Sequence, residues 1–239
     1  DGPIDESLTR ACMNACGTTG IETCAAGSFR GCTAPAVPTE TCNGVDDDCD
    51  GPIDESLTRA CMNACGTPGI ETCSAGSFRG CTAPAVPTET CNGIDDDCDG
   101  LIDDGAACPC ILRYRSPHAY LFCTSTVTWA VARTTCRSMG YELVTVNDAA
   151  ENTFVTTNAL ADRDDDWFIG INDISVDTVW VWDYGTSIYT HWDTGEPDNF
   201  MPDAFDCGVI ENGSSGFETR TMWADMDCAQ NRPFICESR

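Results

Sequence analysis

The sequence predicts a chain in two parts: a disulfide-rich, mostly irregular repeat region, then a globular head that mixes helices with strands. Three observations lead there. Of 19 cysteines in 239 residues, 12 fall in the first 98, a density that belongs to stapled scaffolds. Of 20 aromatic residues, only Phe29 and Phe78 precede residue 107, so the first part lacks the material for a large apolar core and the remainder has it. Residues 1–49 recur as 50–98 with three changes, Thr19 to Pro68, Ala25 to Ser74 and Val45 to Ile94.

The charge balance narrows the partners. Thirty-nine acidic residues face twelve basic ones, all arginine, for a formal charge of −27. Nucleic acid and anionic membrane are poor partners for such a surface. Clustered carboxylates repel unless a cation sits among them, which points to Ca2+ as the cofactor. Cysteine usage without a metal-thiolate spacing implies disulfides and an extracellular or cell-surface location. No apolar run approaches the ~18 residues of a membrane span. The absence of a signal-like start predicts a mature or truncated chain.

The expected domains are repeat 1 (1–49), repeat 2 (50–98), a partial third repeat with linker (99–107) and the head (108–239). The chain opens in mid-motif, which suggests the end of a longer array, and repeats that contact mainly their neighbours make a stalk. The repeat junction, CNGVDDDCDGPIDE, sets Asp46, Asp48 and Asp50 two apart, then Gly51. This is the opening of an EF-type loop: carboxylates at positions 1, 3 and 5, glycine at 6, the Pro52 carbonyl at 7, and Asp54 at 9. The second copy offers Asp95, Asp97, Asp99, Gly100, the Leu101 carbonyl and Asp103. Leu57 and Ala106 occupy position 12, so Glu55, Asp104, water or another part of the repeat must complete the shell. Copper fits less well, because no His or Met lies beside the carboxylates. Cys42 and Cys91 precede the loop while Cys49 and Cys98 lie inside it, and a Cys42–Cys49 bridge would pre-organise the turn. Cys12, Cys16, Cys24 and Cys32 are expected to form two local bridges, and Met13 and Met62 to pack. The string over 42–55 and 91–104 resembles the Asp-rich, Cys-bracketed metal-binding repeat of the MopE type.

In the head, TWAVARTTCRSMGYELVTV reads as an amphipathic helix running into a strand, and Asn147 or Asp148 caps a second helix. Trp167–Asp173 is a buried strand leading into a loop, and Val179–Gly185 alternates and then turns as a hairpin does. Glu196-Pro197-Asp198 follows Trp192. Trp223-Ala224-Asp225 precedes Cys228, and the chain closes on Phe234-Ile235-Cys236. The run Asp162–Asp166 reads as a solvated helix end and His191 as packing.

In this order the motifs of residues 110–239 resemble a C-type lectin-like domain. The resemblance implies an α+β head of two helices and two antiparallel sheets, with bridges Cys110–Cys123, Cys136–Cys236 and Cys207–Cys228. That leaves Cys108 without a partner. It also implies a calcium held by Glu196, Asp198 and Asp225, with sugar bound through it. Two positions depart from the family pattern: Ala224 replaces an amide ligand, and Phe205 replaces an acidic one for which Asp203 or Asp206 could substitute. Asp173, Asn199 and Asp206 could form an auxiliary calcium site. A loop with two carboxylates accepts hydrogen bonds and donates none, and Glu196-Pro197-Asp198 mixes the mannose-type and galactose-type signatures of the family, so the resemblance implies neither sugar type. The expected role is a calcium-binding adhesin whose partner is carbohydrate or a surface protein. The alternative is a structural subunit that self-assembles into an extracellular fibre. No His pairs with a Ser or Cys in a nucleophile motif and there is no HExxH, so no enzyme is expected.

Overall fold

Short runs of Thr, Ile, Cys and Phe between glycine turns give each repeat copy a small antiparallel sheet. The first comprises β1 (Thr9–Met13), β2 (Thr19–Ala25) and β3 (Ser28–Arg30); the second, β4 (Thr58–Met62), β5 (Pro68–Ser74) and β6 (Ser77–Arg79). The computed structural model describes residues 8–198, 205–213 and 220–239, and the chain forms two compact units, Asp1–Val86 and Pro87–Arg239. Asn199 and Asp203 lie outside the described residues.

In the first unit the registers of the two sheets repeat. Ala11 faces Ile21 and Cys24 faces Phe29; Ala60 faces Ile70 and Cys73 faces Phe78. Arg10 pairs with Glu22 at 2.7 Å and lies 4.7 Å from the Phe29 ring; Arg59 repeats this with Glu71 and Phe78. Exposed pairs of this kind contribute about 0–1 kcal/mol. Met13 and Met62 are mostly exposed, contrary to the expected packing. Little of the region is buried, so covalent bonds must hold it.

Those bonds differ from the expectation. Cys12–Cys32 and Cys61–Cys81 close the sheets, and Cys16–Cys49 fastens the acidic loop to the sheet before it. Cys42 bonds Cys73, joining one copy to the next, so the Cys42–Cys49 bridge does not form. Cys108 is not left over either: it bonds Cys91, and Cys24 is the free, buried thiol. Loops of these lengths each contribute about 3 kcal/mol by chain entropy. Beside Cys42, the buried Asp54 carboxylate accepts from the N–H groups of Asn43 (2.8 Å), Gly44 (2.9 Å) and Gly76 (2.9 Å).

The second unit contains the second acidic loop and the head. Asp103, fully buried, accepts from Asn92 N–H (3.0 Å), Gly93 N–H (3.0 Å) and the Tyr141 hydroxyl. A Cβ at Gly140 would meet the Asn92 carbonyl oxygen at 1.7 Å, so this seat admits only glycine. Tyr141 and Cys108 thus meet the second turn as Gly76 and Cys73 meet the first.

The head is built on a sheet ordered β13-β12-β10-β14-β8-β7, from β7 (Ile111–Arg115), β8 (His118–Val127), β10 (Trp167–Asn172), β12 (Cys207–Ile210), β13 (Trp223–Met226) and β14 (Arg232–Ser238); β9 (Tyr141–Leu143) pairs with β14. The β10–β14 pair is parallel at Phe168–Phe234. The alternating run near Trp180 makes only a two-residue strand, β11 (Val181–Trp182), which pairs with β10. Helix α1 (Trp129–Ser138) buries Trp129, Ala132 and Cys136, one face at helical spacing. Helix α2 (Ala149–Asp162) is capped by Asp148, whose side chain accepts Glu151 N–H at 2.7 Å, while Glu151 accepts Asn147 N–H at 2.7 Å. Bridges Cys110–Cys123, Cys136–Cys236 and Cys207–Cys228 lie within the head. The acidic run at the end of α2 is held by arginine: Arg113 reaches Asp162 at 2.6 Å and Arg163 reaches Asp165 at 3.0 Å. Among the described residues no helix is long and apolar enough to cross a membrane.

Burial pushes the carboxyl of Glu237 up to about 7, against the Thr145 N–H that it accepts and with Glu151 adding to the push. The folded head therefore holds a proton that the unfolded chain releases near 4.5. The stabilisation is present below that value and is lost as pH rises toward 7. Thermal melts of the protein and Glu237→Gln from pH 4.5 to 7.5 should show the parent losing on the order of 3 kcal/mol relative to the variant. A pH-independent difference would contradict the assignment.

Candidate functional site

Two acidic loops and one cleft of the head gather the carboxylates singled out above. In the first loop Gly51 takes φ +109°, a turn that L side chains resist, and Gly100 takes +99° in the second. The turn aims amides at the first aspartate: Asp46 accepts from Asp50 N–H (3.2 Å) and Gly51 N–H (3.0 Å), and Asp95 from Asp99 N–H (3.1 Å) and Gly100 N–H (2.9 Å). One carboxylate oxygen from each of Asp46, Asp48 and Asp50 falls within 4.8 Å of the others, as do those of Glu40, Asp48 and Glu55, and of Glu89, Asp95 and Asp97.

Asp54 and Asp103, expected at the ninth position of each loop, lie buried at the Asn-Gly turns. Their oxygens are taken up by the turn amides, Gly44 N–H foremost in holding the Asp54 carboxyl below its usual range. The next residue turns to the loop instead. Glu55 Oε2, Glu89 Oε2 and Asp104 Oδ1 are buried with no hydrogen-bond partner among the described residues. Burial, then Asp99, Asp97 and Asp95, raise the Asp104 carboxyl. Glu55's own N–H holds its carboxyl down, but burial and the charges of Asp50, Glu40 and Asp48 outweigh it. Buried carboxylate oxygens without donors, among other carboxylates, fit a hard cation and nothing else nearby.

Glu40 and Glu89 escape the sequence reading. Glu40 accepts Asp47 N–H at 2.6 Å and Asp48 N–H at 3.0 Å, fastening the loop from outside it. Both glutamates stand two residues before the Cys of the CNG turn, a signal hidden in a stretch that otherwise reads as extended connector.

The head cleft is assembled by Trp223. This fully buried ring donates to Asn152 Oδ1 at 2.9 Å and meets Trp182, Tyr189 and Trp192 edge-on. Its backbone ties in the neighbouring segment, Trp223 N–H to His191 O and Asp193 N–H to Trp223 O, both 2.9 Å. His191 stacks on Tyr189. Glu196 and Asp198 thereby come beside Asp225, two residues beyond Trp223. Asp198 N–H donates to Asp225 Oδ1 (3.1 Å) and Glu196 Oε2 (3.3 Å). Burial, then Asp225 and the charge of Asp198, push the Glu196 carboxyl up to about 7. Asp166, Phe205, Glu211 and Ala224 line the same cleft, of about 260 Å³. The sequence reading assigns Asp166 to a solvated helix end and passes over Glu211, yet both line this cleft. Asp173 is buried, accepts Thr178 N–H at 2.8 Å, and donates its own N–H to Asp206 O at 3.0 Å.

Because Trp223 holds both halves of the cleft, Trp223→Ala should cost about 3–5 kcal/mol in denaturant unfolding and weaken cation binding at the head, read by calorimetry. Unchanged cation affinity in the folded variant would contradict the coupling.

The Lectin C-type domain model matches residues 125–238, and the metal-binding motif of the MopE type matches residues 35–55 and 84–104. C-type lectin domain family 4 member E of Homo sapiens is 33% identical over 54% of this chain and 58% of its own length, so this chain spans about three fifths of that relative. Lectin BRA-3 of Megabalanus rosa is 32% identical over 50% of this chain and 70% of its own. The solved structure of C-type lectin CEL-I from Cucumaria echinata aligns at 26% identity with TM-score 0.48, covering 55% of this chain and 96% of that one. No catalytic family is indicated. From the match to residues 125–238 and the coverage of Lectin BRA-3, the chain belongs to the C-type lectin domain family.

Proposed function

We propose that this is an extracellular, calcium-loaded adhesin: the Cys/Asp-rich repeats serve as a stalk, and the head binds carbohydrate through a calcium held by Glu196, Asp198 and Asp225. The observation that carries the reading is the convergence of these three carboxylates in one open cleft of a C-type lectin domain. A bound calcium would supply a hard Lewis acid to which vicinal hydroxyls can coordinate, while the carboxylates would accept hydrogen bonds from those hydroxyls. The names of the relatives as lectins support carbohydrate as the ligand class. In the repeats, Asp46, Asp48, Asp50 and Glu55 would hold the ion with the Pro52 carbonyl; Asp95, Asp97, Asp99, Asp104 and the Leu101 carbonyl form the counterpart.

A second reading rests on Ala224 and Phe205, which put a methyl and a ring where the family pattern has oxygen ligands. In that reading the head binds a surface protein or caps an extracellular fibre.

Glycan-array binding in calcium decides between them. Binding that is abolished by EDTA and by Glu196→Gln supports the first reading. Absence of any glycan signal, with concentration-dependent polymers in sedimentation, supports the second. Separately, saturating the repeats at a hundredfold excess over Kd should stabilise them by about 2.7 kcal/mol, so EDTA should lower their melting temperature and Glu55→Gln should shrink that shift. An EDTA-insensitive melt would contradict calcium at the loops.

A further inference from the structure

We infer that the β2–β3 hairpin of the first copy, with Cys24 and Gly27, is a docking seat for one more Cys-Asn-Gly turn of this repeat type, carried by a further repeat joined in tandem. The second copy displays the occupied form. There Cys73 on β5 bonds Cys42, the Gly76 N–H donates to Asp54 Oδ2 at 2.9 Å, and a Cβ at Gly76 would stand 3.1 Å from the Asn43 carbonyl group. The joint therefore has three parts: a disulfide, a buried carboxylate that clasps an amide, and a glycine against which the Asn-Gly turn rests.

The first copy presents the receiving half of all three. Cys24 is 6% exposed and free. Its N–H donates to Leu8 O at 2.9 Å, as Cys73 N–H donates to Leu57 O at 2.9 Å. The hairpin tip has the same left-handed pair of residues, Ala26 and Gly27 at φ +47° and +76°, Ala75 and Gly76 at +49° and +78°. No described residue comes within 4 Å of a Cβ built at Gly27. The seat is thus shaped alike whether or not a turn is bonded to it, which makes it pre-organised for docking.

The identity of the occupant follows by elimination. Both Cys-Asn-Gly turns of the chain are engaged, Cys42 with Cys73 and Cys91 with Cys108. A thiol for Cys24 must come from an additional turn, and the tandem spacing of 31 residues between Cys42 and Cys73 gives the reach. The bond joins two thiols and releases two protons and two electrons, which a disulfide oxidant takes up as it is reduced to two thiols.

The test adds one copy of residues 1–49 ahead of the full chain and refolds both proteins in calcium with oxidised and reduced glutathione. Disulfide mapping by mass spectrometry should find Cys24 free in the parent, alkylated only after unfolding, and bonded in the extended chain to the added cysteine 31 residues earlier. Gly27→Ala in the extended chain, which crowds the turn without removing a thiol, should lower the yield of that bond. Three results would overturn the inference: Cys24 still free in the extended chain, a bond formed equally well with Gly27→Ala, or disulfide-linked dimers of the parent through Cys24.

Discussion

Repulsion among carboxylates is the constraint under which this chain folds. Thirty-nine acidic side chains share 239 residues with twelve arginines, so most negative charges cannot be met by a positive side chain. Two solutions are visible. Some carboxylates accept backbone amides: Asp54 and Asp103 at the Asn-Gly turns and Asp148 at a helix start. Others have their amide bonds but keep oxygens turned toward one another, as at Asp46, Asp48 and Asp50, or at Glu196 and Asp225. The first group fixes backbone; the second leaves lone pairs for a cation.

The two groups are adjacent in sequence, which lets one short string do both. Asp54 faces the joint between copies and Glu55 faces the loop, so two neighbouring residues link the one to the other. Disulfides sharpen this coupling. Cys16–Cys49 fixes the loop to its own sheet and Cys42–Cys73 fixes the turn to the following one. A region with little apolar burial thereby gains a defined backbone without a large core. In the head the roles reverse. Buried aromatics around Trp223 supply the order, and the acidic cleft rides on them.

The legible part of this molecule was local. Alternating aspartates followed by glycine gave away the acidic loops, and the order of tryptophans, glycines and cysteines after residue 110 gave away the head. What stayed hidden depends on distant parts of the chain. Glu40 acts on the loop from a stretch whose prolines and threonines read as connector. The Cys42 to Cys73 bond crosses a repeat boundary, and the cysteine positions of a tandem array are compatible with local and crossed pairing alike. Asp54 follows the EF-type register in sequence, but with φ at +58° its carboxylate accepts the amides of Asn43, Gly44 and Gly76, which no local pattern announces. In the head, Asp166 and Glu211 enter the cleft only through the packing of β10 and β12 side by side.

The most direct measurement is anomalous diffraction from crystals grown in calcium. An anomalous peak is expected among the carboxylates of Asp46, Asp48, Asp50 and Glu55, a second among Asp95, Asp97, Asp99 and Asp104, and a third beside Glu196 and Asp225. Loops without a peak, their acids turned out to solvent and their turns otherwise unchanged, would contradict it.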